Sequence, residues 1–265
     1  MNAHEIDYRI IGNEMQCVEI ELDPQETALA EAGALMMMDD HIEMATIFGD
    51  GSNQDQGLLD KFFSAGKRIL TGESLFMTTF THTGEGKSHV TFAAPYPGKV
   101  MPFDLSEYNH KIICQKDAFL CAAKGVAVGL EFQKKLGAGF FGGEGFIMQK
   151  LEGDGMSFLH AGGTIVEKEL EAGQKLKVDT GCIVAFTDDV DYDIEYIGGI
   201  KSALFGGEGL FYASLKGPGK VWLQSLPLSR LADRIYSHAP QGGGKEQGEG
   251  SVLGGLGDTL RGDNR

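Results

Sequence analysis

The pentapeptide Gly-Gly-Glu-Gly-Phe occupies residues 142–146 and returns 64 positions later as Gly-Gly-Glu-Gly-Leu at residues 206–210. A diverged version, Gly-Glu-Ser-Leu-Phe, occupies residues 72–76. Self-similarity at a fixed spacing indicates that one structural unit is used several times. We therefore predict a chain of three internal repeats, which describes how the protein is built and says little about its chemistry.

The similarity extends well beyond the motif. The second and third copies align without a gap over at least 34 positions, so that Leu159 meets Leu223. The first copy aligns at an offset of 71 through the motif; past two extra residues after Phe80, Val90 falls on Leu159. A second shared element, a leucine followed by a turn and an apolar run, occupies residues 22–36, 105–121 and 170–184.

Short strands account for most of the remaining pattern. Residues 5–22 alternate polar and apolar side chains around Gly12-Asn13, which predicts an opening hairpin. The segments KSHVTFA (87–93) and KLKVDTGCIVAF (175–186) are rich in β-branched and aromatic residues. We predict a mainly β fold in which three antiparallel units form a β-sandwich or prism-like body.

Two segments have helical spacing instead. Apolar residues in 58–70 predict a short helix that leads into the first motif. Leu228, Leu231 and Ile235 lie on one helical face, which predicts a terminal helix near 227–237, with Ser225 as a cap. Residues 1–238 are therefore predicted to form one repetitive domain, followed by a flexible glycine-rich tail at 239–265.

Composition excludes several classes of protein. The formal net charge of -15 opposes binding to a phosphate backbone, so nucleic acid is not an expected partner. The chain has neither an apolar stretch near 18 residues long nor a secretory signal pattern, so we expect no transmembrane segment and a cytoplasmic location. The four cysteines are widely spaced, which favours buried thiols over a disulfide framework.

The acidic member of each motif is the candidate binding residue: Glu73, Glu144 and Glu208. If the three repeats bring these carboxylates together, they would raise one another's pKa and bind a cation or a small ligand, or act as a general base. In the alternative interpretation each glutamate accepts hydrogen bonds from backbone amides in a glycine turn. The sequence leaves both interpretations open.

Other motifs lack the context that their chemistry requires. Residues 137–142 match the letters of a dinucleotide-binding loop but have no βαβ surroundings. Asp189, Asp191 and Asp193 begin like a calcium loop, yet Ile194 and Ile200 replace the required glycine and glutamate, so a solvated strand face is expected. The seven histidines have no metal-ligand spacing. We predict no catalytic residues, no metal and no cofactor.

The three glycine-glutamate segments, with Phe205–Tyr212 and residues 217–224 (GPGKVWLQ), resemble the family of altered inheritance of mitochondria protein 24. The similarity covers roughly residues 5–236. It implies a bacterial member with a β-rich fold like that of the tryptophan RNA-binding attenuator protein, in a group without an established biochemical activity. The eukaryotic relatives are mitochondrial and linked to inner-membrane organisation. Neither RNA binding nor a mitochondrial location carries over, because fold does not imply function and no presequence begins this chain.

These observations favour a non-enzymatic binding or scaffolding protein that forms a homo-oligomer, because repeated β units present sheet edges that partners often cover. The alternative is a small-molecule-binding protein or hydrolase with a site at the repeat interface around the three motif glutamates.

Overall fold

The computed structural model describes residues 3–31, 33–48, 76–94, 96–134, 146–196 and 211–239. Within these ranges the chain is mainly β, as the sequence predicts. The first ten strands are β1 Asp7–Ile11, β2 Cys17–Leu22, β3 Thr27–Glu31, β4 Leu35–Met38, β5 Ile42–Phe48, β6 Phe76–His82, β7 Ser88–Ala93, β8 Gly98–Asp104, β9 Lys111–Gln115 and β10 Phe119–Ala123. The following nine are β11 Ala127–Lys134, β12 Phe146–Glu152, β13 Met156–Gly162, β14 Ile165–Leu170, β15 Lys175–Asp179, β16 Ile183–Thr187, β17 Asp191–Tyr196, β18 Phe211–Lys216 and β19 Gly219–Gln224.

Helical structure in the described part of the chain is limited. Short 3-10 turns occupy Leu105–Tyr108, Lys116–Ala118 and Thr180–Cys182, and one α-helix, α1, runs from Leu228 to His238. The predicted terminal helix is confirmed with a start one residue later. Ser225 does not cap it, because its hydroxyl accepts a hydrogen bond from the Thr164 amide at 2.8 Å. The helix predicted at 58–70 lies outside the described residues, as does the predicted tail from 240 onward.

The opening hairpin is confirmed. β1 pairs antiparallel with β2, from Asp7 opposite Glu21 to Ile11 opposite Cys17. Gly12 has a φ of +97° in the connecting turn, where an added Cβ would lie 2.5 Å from the Met15 carbonyl oxygen. A side chain at this position would therefore strain the turn.

The strands assemble into four antiparallel sheets. Their hydrogen-bonded orders are β1-β2-β7-β4 in sheet A, β5-β6-β3-β10-β13-β8 in sheet B, β11-β12-β9-β16-β19-β14 in sheet C and β15-β18-β17 in sheet D. Each strand number in sheet C is six higher than its counterpart in sheet B. Sheet D, read in reverse as β17-β18-β15, has strand numbers six higher than the first three strands of sheet C. Sheet A, read in reverse, begins with β4-β7-β2, whose strand numbers are six lower than those of the last three strands of sheet B.

Three apolar layers separate the sheets. The AB layer contains Val18, Ile20, Leu22, Ala28, Ala30, Phe80, Val90, Phe92 and Phe158. The BC layer contains Leu29, Met77, Phe103, Ile112, Cys114, Leu151, Leu159 and Trp222. The CD layer contains Ile113, Phe146, Met148, Phe186, Ala213, Leu215 and Val221. Neighbouring residues of a strand point to opposite faces, so Leu29 enters the BC layer while Ala28 and Ala30 enter the AB layer. Sheets B and C therefore lie between sheets A and D.

Three strands that hold corresponding places in sheets A, B and C each carry a β-bulge. The bulges lie between Leu35 and Met37 in β4, between Phe119 and Cys121 in β10, and between Ile183 and Ala185 in β16. Leu35 pairs with Phe92, just as Phe119 pairs with Leu159. Phe92, and not Val90, thus corresponds to Leu159, and the sequence alignment of this arm was wrong by two residues.

Candidate functional site

The three predicted site residues, Glu73, Glu144 and Glu208, lie outside the described residues, so their convergence stays a prediction. The strands around them are described. Each motif falls in the connection of an antiparallel hairpin that closes at Phe48 opposite Phe76, at Lys134 opposite Phe146, and at Tyr196 opposite Phe211. These hairpins, β5-β6, β11-β12 and β17-β18, hold the same place in sheets B, C and D.

A cleft of about 280 Å³ opens on the outer face of sheet A, the face turned away from the AB layer. Its lining combines charged, thioether and hydroxyl groups from four strands and the turn after β4: Arg9, Glu19, Met37, Met38, Asp39, His89 and Thr91. The three consecutive methionines of β4, Met36, Met37 and Met38, are 59%, 50% and 40% exposed. Since methionine is flexible and polarisable, such a surface adapts to apolar groups of varied shape.

Fixed charges surround the methionines. Arg9 pairs with Glu19 at 2.8 Å, across the β1–β2 ladder. The His89 ring lies between two carboxylates, with Nδ1 3.2 Å from Asp39 and Nε2 3.3 Å from Glu21. Lys87 also contacts Glu21, and this hydrogen bond holds the pKa of the Glu21 carboxyl below its usual range. The His89 backbone amide donates to Asp39 at 2.8 Å and lowers the pKa of that carboxyl.

The cleft floor contains a buried hydroxyl. Thr91 is 1% exposed, and its Oγ1 has no hydrogen-bond partner. Burying a hydroxyl without a partner costs about 1–3 kcal/mol. A polar atom of a bound group that reached this hydroxyl would recover part of that cost.

A second unusual group is the Glu31 carboxyl at the end of β3. Burial, followed by the nearby negative charge of Asp117, raises the pKa of Glu31 to about 7. The Gln149 side chain donates a hydrogen bond to the carboxyl and opposes this rise. Glu31 therefore changes charge near neutral pH, which is a property often found at functional sites.

His160 of β13 is buried without polar partners. It is 2% exposed, neither ring nitrogen has a hydrogen-bond partner, and burial lowers its pKa to about 4. The Tyr96 ring packs edge-on against it with centroids 4.5 Å apart. Gly98 makes room for the imidazole, since a Cβ there would lie 2.5 Å from Nε2. The ring is therefore neutral and packed as part of the interior.

Sequence reasoning missed the cleft, Glu31 and His160. The only signal for Glu31 was a charged residue at the end of an apolar strand. Asp39 and His89 are 50 positions apart, so no local spacing could join them. The predicted solvated face of Asp189, Asp191 and Asp193 is confirmed, since all three are exposed while Val190 and Ile194 are buried.

The remaining expectations concern metals, membranes and cysteines. The described residues contain no group of three or more His, Cys, Asp or Glu side chains arranged to hold a metal ion. No helix in the described ranges is both long and apolar enough to cross a membrane. None of the four cysteines forms a disulfide, and burial raises the pKa of the Cys114 and Cys121 thiols, which makes them poor nucleophiles.

Two relatives resemble the chain over most of its length. An uncharacterized protein of Streptococcus pyogenes serotype M6 is 27% identical over 225 residues, which cover 84% of this chain and 86% of the relative. The crystal structure of protein SPYM3_0169 from Streptococcus pyogenes aligns with a TM-score of 0.69 at 22% identity, over 89% of this chain and all of the other. At this identity the structural match establishes the fold alone.

The family comparison covers the body of the molecule. The model of the family described as Mitochondrial biogenesis AIM24 matches residues 8–226, from β1 to the segment that precedes α1. The matched region includes all four sheets and the outer-face cleft. The resemblance noted in the sequence is thereby confirmed, and the chain belongs to the mitochondrial biogenesis AIM24 family.

Proposed function

We propose that this protein is a non-enzymatic binding and scaffolding protein that associates with further copies of itself through the open edges of its sheets. The observation that carries the proposal is the exposure of the apolar side chains of strand β4. This strand presents Met36, Met37 and Met38 with 59%, 50% and 40% of their surface exposed. Exposed apolar edge strands promote aggregation, so native proteins usually protect them or cover them with a partner.

The proposal includes one repetitive domain over residues 1–238. The progression of strand numbers by six between sheets B and C supports it, and so do the three bulges at corresponding places. The net charge of -15 supports a protein partner over a nucleic acid. The thiols, none of which is in a disulfide, agree with a reducing, cytoplasmic environment.

Sedimentation velocity of the full chain at micromolar concentration tests the scaffold. We expect a species larger than the 28.5 kDa chain. Met37→Lys places a charge on the open edge and is expected to shift the protein toward monomer. Met15→Lys is the matched control, because Met15 is 70% exposed but lies in the β1–β2 turn. A strict monomer for the unaltered protein would contradict the proposal.

A second function, small-molecule binding or hydrolysis around Glu73, Glu144 and Glu208, is favoured by the hairpins before and after these residues. The three hairpins hold corresponding places in successive sheets, as a site shared by the three repeats requires. Replacing all three glutamates with glutamine is expected to abolish binding of a divalent cation, measured by calorimetry with calcium or magnesium. A loss of melting temperature without any change in cation binding would assign these residues a structural role.

A further inference from the structure

We propose that β4 of one copy pairs antiparallel with β15 of a second copy. Sheet A of the first copy and sheet D of the second copy then form one continuous sheet. This inference rests on the proposed scaffold and names its interface and its partner, a second copy of this chain. Among the described strands, β4 pairs only with β7, and β15 pairs only with β18. Each therefore keeps one open side of backbone N–H and C=O groups.

The chain already forms the proposed junction twice within itself. In sheet B, β10 joins β3, with Cys121 opposite Ala30 and Ala123 opposite Ala28. In sheet C, β16 joins β9, with Ala185 opposite Cys114 and Thr187 opposite Ile112. The progression of strand numbers by six makes β4 the counterpart of β10 and β16, and β15 the counterpart of β3 and β9. The third junction of this series has both of its strands but is not made.

Local geometry supports the same correspondence. The bulge that precedes the junction in β10 and β16 also occurs in β4, between Leu35 and Met37. Bulges bend a strand and increase its local twist. β4 therefore has the backbone form of the two strands that already make the junction.

The junction cannot form within one chain. Sheet A packs on sheet B through the AB layer, and sheet D packs on sheet C through the CD layer. The BC layer joins the two middle sheets, so sheets A and D face outward on opposite sides of this pair. Two sheets, B and C, therefore lie between β4 and β15 of the same chain. A second copy must supply the missing strand.

The two existing junctions set the register. They place Met37 opposite Val178, Met38 opposite Lys177 and Asp39 opposite Leu176 of the second copy. One step further, Asp40 meets Lys175. The exposed aspartates that follow β4 thus lie beside the exposed lysines of β15, and opposite charges across a ladder stabilise the pair. The thioether of Met37 gains an apolar neighbour in Val178.

The contact joins two different surfaces, so it is heterologous. Every copy offers one β4 and one β15, and each pairing leaves one of each open at the ends. Heterologous contacts close into a ring when the rotation per copy allows it and otherwise grow as a filament.

Cysteine cross-linking of the full chain tests the register. In a Cys17→Ser and Cys182→Ser background, Met38→Cys and Lys177→Cys place thiols directly opposite each other across the proposed junction. Directly opposite residues have Cβ atoms about 4.5–5.5 Å apart, within reach of a disulfide after small adjustments. Under mild oxidation we expect a ladder of covalent oligomers from the double variant and a covalent dimer from a mixture of the two single variants. Neither single variant alone should cross-link.

A face control uses Met37→Cys with Lys177→Cys, since these side chains point to opposite faces and should not cross-link. Both altered positions are exposed, so circular dichroism should give unchanged melting temperatures. Cross-linking of Met38→Cys alone would indicate a symmetric β4–β4 contact and overturn the inference. An oligomer without the mixed cross-link would overturn the inference and leave the scaffold standing. A monomer in sedimentation would overturn both.

Discussion

The central strands of sheets B and C bury both of their faces, whereas sheets A and D bury mainly the face that packs on B or C. Leu29 of β3 and Lys177 of β15 hold corresponding places in sheets B and D, yet Leu29 is 1% exposed in the BC layer and Lys177 points to solvent. The inner sheets have six strands each, and the outer sheets have four and three. The two outer sheets thus have a solvated face and an incomplete strand order, and the proposed association therefore uses their edges.

The largest expected effect tests the difference between inner and outer sheets directly. Leu29→Ala removes a fully buried side chain between two sheets and is expected to lower the free energy of unfolding by about 3 kcal/mol. Lys177→Ala, at the corresponding place in sheet D, removes only an exposed contact with the Tyr212 hydroxyl and ring and should lower it much less. Urea unfolding followed by circular dichroism measures both values. Equal losses would mean that the outer face of sheet D is as well packed as the BC layer.

A smaller effect concerns the carboxyl at the end of β3. Because the pKa of Glu31 is raised to about 7 from 4.5, the folded protein loses stability as pH rises through this interval. Glu31→Gln is therefore expected to raise the free energy of unfolding by up to about 3 kcal/mol at pH 8 and to change nothing at pH 4. Urea unfolding at both pH values is the measurement.

The control for Glu31 lies in an outer sheet. Asp179 ends β15 as Glu31 ends β3, but it is partly exposed and pairs with Arg230 at 3.1 Å. Asp179→Asn should bring no stabilisation at pH 8. A Glu31→Gln variant whose stability follows the unaltered protein at every pH would show that this carboxyl ionises as freely as an exposed one.

The smallest effect is expected on the outer face of sheet A. Lys87 contacts Glu21 and lies 4.0 Å from Asp7, with 53% of its side chain exposed. Ion pairs this exposed add little stability, because water already solvates both charges. Lys87→Ala should leave the urea midpoint unchanged in low salt and in high salt. A clear loss that high salt removes would contradict this view of the outer face.

Much of the strand content could be predicted from the sequence, for a local reason. Alternation with a period of two records which side chains of a strand are buried, and it predicted the opening hairpin and the strand at 87–93. The same period explains the alignment error at Val90. A shift of two residues keeps every side chain on the same face, so the pattern could not separate Val90 from Phe92.

The candidate sites were less accessible to sequence reasoning. The motif glutamates were selected for their repetition, and their arrangement stays a prediction. The cleft depends on Arg9, Asp39 and His89, which come from distant parts of the chain and meet only because β1, β2, β7 and β4 share a sheet. The pKa of Glu31 depends on burial and on Asp117, neither of which has a signature in the local pattern.

The sequence by itself determined that the chain is mainly β, that its motifs recur and which residues prefer the interior, since these properties depend on side-chain chemistry and short-range periodicity. Only the tertiary structure decided which strands pair, which sheets bury both faces and which edges stay open. Strand partners are chosen by contacts between segments far apart in the chain, and the alternation within each strand is the same whichever partner it finds. The difference between the inner strands β3 and β9 and the outer strand β15 is therefore a property of their places in the stack.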